Sequence, residues 1–129
     1  MNKIELEIRG ITQSQGNADA YVLIVGDRHS KLCLPIVIGT AEAQAIAIAL
    51  EGVKSSRPLT HDLLENMLDN YHINVEETIL TDFREGVYYA TIICSNGDEF
   101  TSFDARPSDA IALAVRWGCP FSAYEKVMT

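Results

Sequence analysis

The hydrophobic period of this chain changes three times along its length, and that order of periods constrains the fold more tightly than any single motif. KIELEIRGI, at the start, sets Ile4, Leu6 and Ile8 against Glu5, Glu7 and Arg9, the period-two alternation of a half-buried strand. SQGNADA then supplies turn residues, YVLIV is a continuous apolar run suited to a more central strand, and GDRHSK turns the chain into LCLPIVI. Three strands joined by short turns predict an antiparallel meander.

Gly39 breaks that period, and Thr40 is placed to cap a helix running to Gly52. Its sequence, AEAQAIAIALEG, is rich in alanine, so the helix can approach its neighbours closely. After VKSSRP, Thr60 offers a second cap, and Leu63, Leu64, Met67, Leu68 and Tyr71 follow at helical spacing. From Ile73 the strand period returns through INVEETILTDF, a turn at REG, VYYATIICS, a two-residue hairpin signal at Asn96-Gly97, and DEFTSFDA. Pro107 starts a third helix, SDAIALAVRW, that ends near Gly118 and Pro120. Ser122 and Glu125 fit a capping box for a last short helix, AYEKVM.

Strands grouped in sets, not alternating singly with helices, predict an α+β fold: mainly antiparallel strands in two meanders, three to four helices packed on the sheet, and a single compact domain over residues 1–129. QAIAIALEG and DAIALAVRWG also echo each other, as an internal duplication would leave them.

Composition narrows the function classes. At 129 residues the chain can bury one core, and its 47% hydrophobic and 22% charged content is that of an ordinary globular protein. No window approaches 18 apolar residues and the first residues alternate instead of forming a signal peptide, so a cytoplasmic protein with no membrane partner is expected. Cys33, Cys94 and Cys119 are odd in number and widely spaced, which predicts buried thiols and neither a disulfide frame nor a zinc site. The net charge of −8 is uneven: residues 65–129 hold 11 acids against 4 bases. Such a chain gains nothing from nonspecific docking on a polyanion, so phosphate chemistry would need a local basic cluster or a cation.

The polar candidates gather at helix starts: Glu42; Arg57, His61 and Asp62; and Asp104, Arg106, Ser108 and Asp109. Each acid has a plain reading, because a helix N-terminus carries about half a positive charge and stabilises a carboxylate by roughly 0.3–1 kcal/mol. Ser108 and Pro107 are likewise ordinary first-turn residues. Arg106 is different: a cation there opposes the dipole, so it needs either Asp104 or Asp109 as a partner or a bound phosphate or carboxylate. Arg57 carries the same two readings. His61, where the dipole disfavours its charged form, is either a neutral imidazole available as base or metal ligand, or a surface histidine.

Four stretches, LPIVIGTAEAQAIAIALEG, RPLTHDLL, GVYYATI and DARPSDAIALAVR, resemble in order the successive blocks of the bifunctional nuclease domain family, over about residues 31–122. The resemblance implies a compact α+β domain, often self-associating with a dimer favoured, and nuclease activity on RNA and DNA as reported for plant relatives. Its polar positions fall here on Glu42, on Arg57, Pro58, His61 and Asp62, and on Asp104, Arg106, Pro107, Ser108 and Asp109. Many bacterial relatives continue into a short UVR-type motif linked to excision-repair contacts; this chain stops at Thr129, so it either lacks that tail or was cut before it.

Two functions follow as expectations. In a metal-dependent nuclease, Glu42, Asp62, Asp104 and Asp109 would hold Mg²⁺ or Mn²⁺, His61 would be base or proton shuttle, and Arg57, Arg106 and Ser108 would bind the substrate phosphate. In a non-catalytic binding or assembly module, the same Arg and Asp residues form a structural network. A small-anion-binding domain using Arg57 and Arg106 is a third.

Overall fold

The alternating residues at the start of the chain form β1 (Lys3–Gln13), which is followed by β2 (Ala20–Asp27) and β3 (Cys33–Gly39), each antiparallel to the one before. The computed structural model describes residues 2–16 and 19–128. The turn expected over SQGNADA therefore lies partly outside the described residues; across it, Ser14 N–H donates to the Ala20 carbonyl at 2.9 Å. The chain passes directly from β3 into α1 (Thr40–Glu51), then α2 (Thr60–Asn70). A second antiparallel set follows, β4 (Asn74–Arg84), β5 (Val87–Ser95) and β6 (Phe100–Ala105), and after a single residue α3 (Pro107–Trp117). The last strand, β7 (Phe121–Tyr124), inserts between β1 and β4, giving the order β3-β2-β1-β7-β4-β5-β6. It is antiparallel to β1 and parallel to β4, which makes the fold α+β with a mostly antiparallel sheet.

Three strands and an alanine-rich helix thus occur twice, on either side of β7. If the sheet were flat its two edges would lie about 29 Å apart, six spacings of ~4.8 Å. Yet α1 leaves the edge strand β3 and α3 leaves the edge strand β6, and their first turns are joined by an Arg106–Glu42 pair at 3.0 Å. The sheet must therefore curl. Bulges supply the bend: β1 shifts register between Ile8 and Gly10, and β4 shifts twice, at Val75/Glu77 and Leu80/Asp82. In β1, moreover, Lys3–Glu5 pair with β7 while Leu6–Gln13 pair with β2.

The core fills the inside of the curl. Leu23, Val25, Leu80 and Ala90 from the strands meet Ile46 of α1 and Ile111 of α3, all buried. Ala43 and Ala45 of α1 and Ala110, Ala112 and Ala114 of α3 are buried as well, the small side chains that let two helices lie close. Among the described residues, no helix is long and apolar enough to cross a membrane.

Several local expectations are corrected. The N-cap of α1 is Gly39 and that of α2 is Leu59, so Thr40 and Thr60 are first helical residues. The two-residue turn lies at Glu85-Gly86, both at positive φ, whereas Asn96-Gly97 belongs to a four-residue loop in which Asn96 Oδ1 accepts the N–H groups of Asp98 and Glu99. The expected last α-helix, AYEKVM, does not form: Ala123 and Tyr124 end β7, whose residues 121–123 are buried between β1 and β4, and Glu125–Val127 makes a single 3-10 turn. Burial on both faces decided the conformation there, and the buried Ser122 hydroxyl, which has no partner among the described residues, caps nothing. Among the cysteines, Cys94 is buried and Cys119 half-buried, but Cys33 is exposed, because it opens an edge strand on the outward-facing phase of the alternation. Finally, α2 buries no residue fully; Leu63, Leu64, Met67 and Tyr71 of its predicted apolar face are exposed.

Candidate active site

The two helices that start from the sheet edges bring their N-termini together. Neither has a side-chain cap, so the first-turn N–H groups of both remain free of local side-chain acceptors. Glu42 and Asp109 occupy the same third helical position in α1 and α3, where the dipole favours them. Arg106, the N-cap residue of α3, lies between: its Nε and Nη2 donate to Asp109 Oδ2 and Oδ1 at 3.0 and 3.3 Å, and its Nη1 donates to Glu42 Oε1 at 3.0 Å. Two acids therefore hold the cation that the dipole opposes. Their hydrogen bonds, Asp109 first and then Glu42, raise its pKa above the ordinary guanidinium value. Glu42 can fold back this way because Gly39 has no side chain; a Cβ there would come within 2.6 Å of Glu42 Oε2.

Arg106 is not closed off. Its side chain is 65% exposed, and three of its five N–H groups are used, which leaves two for a ligand.

The third member comes from the first turn of α2. His61 Nε2 lies 3.0 Å from Asp109 Oδ1. An ionised carboxylate only accepts, so the imidazole carries a proton on Nε2; in the neutral ring the lone pair is then on Nδ1, which has no partner among the described residues. Burial alone would raise the Asp109 pKa, but the hydrogen bonds from Arg106 and His61 and the Arg106 charge outweigh it and the value is lowered.

Asp62, one residue on, faces elsewhere. Its Oδ2 accepts the Leu59 N–H at 3.0 Å and its Oδ1 lies 3.4 Å from Arg116 Nε. Arg116 is only 6% exposed, and it also donates to the carbonyls of Ala112 and Ala45 at 3.1 and 3.4 Å. One buried guanidinium thus ties α2 to both other helices, and in doing so holds His61 in place. Nothing in the residue pattern signals this, since an arginine in the last turn of a helix is where the dipole wants one.

Two cavities meet at Arg106. One of about 310 Å³ is lined by Gln44, Leu59, His61 and Asp109; the other, about 540 Å³, runs from Ser108 along β3 and the β4–β5 hairpin. Glu42 and Arg106 border both. Asp104 is exposed on β6 and shares a further hollow with Arg106 and Asp109, while Arg57 sits exposed in the loop before α2 and lines neither cavity.

The four acids proposed from sequence as metal ligands do not converge. Among the described residues, no group of three or more His, Cys, Asp or Glu side chains is placed to hold a metal ion. Mg²⁺ needs only one or two carboxylates when substrate phosphates complete its shell. However, Glu42 and Asp109 both face the Arg106 charge, so a cation between them would be repelled, and Asp62 is turned to Arg116. These residues do not fit the group.

The bifunctional nuclease domain model matches residues 23–129. The chain belongs to the bifunctional nuclease domain family. The match begins inside β2 and takes in all three helices, and so the whole His61–Asp109–Arg106–Glu42 cluster of this bifunctional nuclease domain. Two uncharacterized proteins of Mycobacterium tuberculosis are each 36% identical over 124 residues, covering 96% of this chain and 73% of theirs. Bifunctional nuclease 1 of Arabidopsis thaliana is 33% identical over 92 residues, 69% of this chain but 28% of the plant protein. The family is therefore shared with much longer plant chains, of which this domain spans about a quarter to a third.

Proposed function

We propose that this domain cleaves phosphodiester bonds in RNA or DNA, with His61 as the general base and Arg106 as the phosphate-binding residue. The observation that carries the reading is the hydrogen-bonded series His61–Asp109–Arg106–Glu42, which sets an unpartnered imidazole nitrogen and a cation with two spare donors beside one open cavity. Asp109 fixes the tautomer that leaves Nδ1 basic. That nitrogen takes a proton from the attacking oxygen, a 2′-hydroxyl in RNA or a water in DNA; as the new P–O bond forms the P–O bond to the leaving oxygen breaks, and that oxygen takes a proton from water. The two remaining Arg106 N–H groups and the free N–H groups of α1 and α3 stabilise charge on the non-bridging phosphoryl oxygens. Glu42 holds the guanidinium in register. No step is assigned to Mg²⁺ or Mn²⁺, because three of the four acids that would bind it, Glu42, Asp62 and Asp109, are committed to arginines.

The test is cleavage of short fluorescent single-stranded RNA and DNA by purified protein. His61→Ala and Arg106→Ala should each abolish cleavage while the protein still melts cooperatively, and Arg57→Ala, away from the cavity, should retain it. Rates should be the same in EDTA and in Mn²⁺; loss in EDTA with recovery in Mn²⁺ would move the chemistry to a cation and sink the His61 assignment. The second reading, a structural ion-pair network without catalysis, is favoured by the pairing of each of these acids except Asp104 with an arginine. It predicts no cleavage by the wild type and a lower melting temperature for Arg106→Ala.

A further inference from the structure

The larger cavity shares Arg106 and the helix starts with that chemistry but extends beyond them, and its two ends differ in character. At the inner end stand Arg106, the uncapped starts of α1 and α3, and Ser108. Ser108 is only 6% exposed, lines the groove, and its hydroxyl has no hydrogen-bond partner among the described residues. The hydroxyl keeps its access through the groove, so a ligand oxygen there can take the hydrogen bond that water otherwise supplies, beside the N–H donors of the two helix starts.

The outer end is aromatic and aliphatic. Phe83 and Tyr88 are cross-strand partners at the tip of the β4–β5 hairpin, their ring centroids 4.4 Å apart and inclined at 43°. Phe83 is 48% exposed, and Val37 of β3, which also lines the groove, is 72% exposed. Apolar side chains from β3 and the hairpin leave an uncovered slot that a ring lines.

We propose that this groove holds one unpaired nucleotide, with its phosphate at the Arg106–Ser108 end and its base against Phe83 and Tyr88. The inference rests on the reading of Arg106 as a phosphate-binding residue and adds the position of the base. A volume of about 540 Å³ lies within the range of small-molecule sites, 300–1,000 Å³. Stacking on an aromatic ring needs a base that is not in a duplex, so the substrate class is single-stranded nucleic acid, taken without strong sequence preference because every base has a π face.

The probe is ethenoadenosine monophosphate, whose fluorescence reports both binding and stacking, titrated into the full chain. Wild type should raise its anisotropy and quench it. Phe83→Ala should weaken binding about five- to a hundredfold, with Phe83→Leu no better, since leucine restores bulk without a ring. Phe100→Ala, at an exposed phenylalanine of β6 outside the groove, should bind as wild type. Ser108→Ala should weaken the monophosphate but not the unphosphorylated ethenoadenosine, and inorganic phosphate should compete only with the former.

No binding by a folded wild-type protein, or binding indifferent to Phe83, would overturn the proposal; a changed oligomeric state in Phe83→Ala without any change in nucleotide affinity would assign the groove to a second copy instead. Cleavage separates the two ideas. A wild type that binds the probe but never cuts leaves the groove and removes the nuclease, whereas one that cuts with unchanged kcat and KM in Phe83→Ala keeps the nuclease and removes the groove.

Discussion

Arg116 is the residue through which stability and the site are coupled. Replacing it with methionine keeps an apolar stem of similar reach and removes the guanidinium, so packing is little disturbed. Truncating one member of a buried ion pair can cost about 3–5 kcal/mol. Less is expected here. Asp62 is about a third exposed, so water can replace its lost partner. The carbonyls of Ala45 and Ala112 also lie inside helices, where backbone N–H groups still reach them. A global loss of about 1–2 kcal/mol remains, a fall in melting temperature of roughly 4–8 °C for a domain of this size.

The local effect should be larger than the global one. With no fully buried residue of its own, α2 relies on the Asp62–Arg116 and His61–Asp109 contacts. Hydrogen exchange in Arg116→Met should therefore accelerate across α2 while the interior of α3 keeps its protection. Cleavage, if it depends on His61, should fall with it. Unchanged exchange in α2, whatever happens to the melting temperature, would show that some other contact secures the helix and would refute the argument.

Three further outcomes follow from single residues. The Asp109 carboxyl is held below its usual 3.8, so the stability it contributes is complete above that value and is lost as pH falls through the lowered one; thermal melts from pH 7 to 2.5 should show the gap between wild type and Asp109→Asn closing below about pH 4. Gly86 closes the β4–β5 turn at φ 80°, and Gly86→Ala should cost about 1–2 kcal/mol in urea unfolding. Thiol labelling followed by mass spectrometry should find Cys33 modified first, since Cys94 is buried and burial pushes the Cys119 thiol up to about 11.

The periods of the sequence announced nearly all of the strands and helices, because each reflects which face of a segment meets the core. They could not announce β7. FSAY is too short to show a period, and its conformation comes from being buried between β1 and β4, a tertiary fact. The amphipathic pattern of α2 misled for the converse reason: spacing shows that a helix has an apolar face, not that anything covers it. At the site, the dipole argument required a partner for Arg106 and local sequence offered Asp109, whereas Glu42, 64 residues away, could come only from the fold. Adjacent Asp104, the nearer candidate in sequence, points from an exposed edge strand. Arg116 and Phe83 carried no sequence signal, being an arginine where a helix tolerates one and a phenylalanine where a strand favours one.

The charges gathered at Arg106 predict how nucleic acid would bind. The guanidinium and two helix ends of about half a charge each offset the carboxylates of Glu42 and Asp109, so the site is close to neutral, inside a chain of net charge −8. Long-range attraction for a polyanion is absent, and affinity has to come from hydrogen bonds to one phosphate and from stacking. If Arg106 alone neutralises a phosphate, the affinity for a short single strand should fall with a log–log salt slope of about −0.7, roughly a threefold loss between 50 and 200 mM salt. Proteins that make six to ten phosphate contacts lose about a thousandfold or more over that range. Anisotropy titrations of a labelled hexanucleotide across the series would read the slope directly. A slope several times steeper would mean that further cations, Arg57 first among them, enter the interface, and the single-arginine site would have to be abandoned.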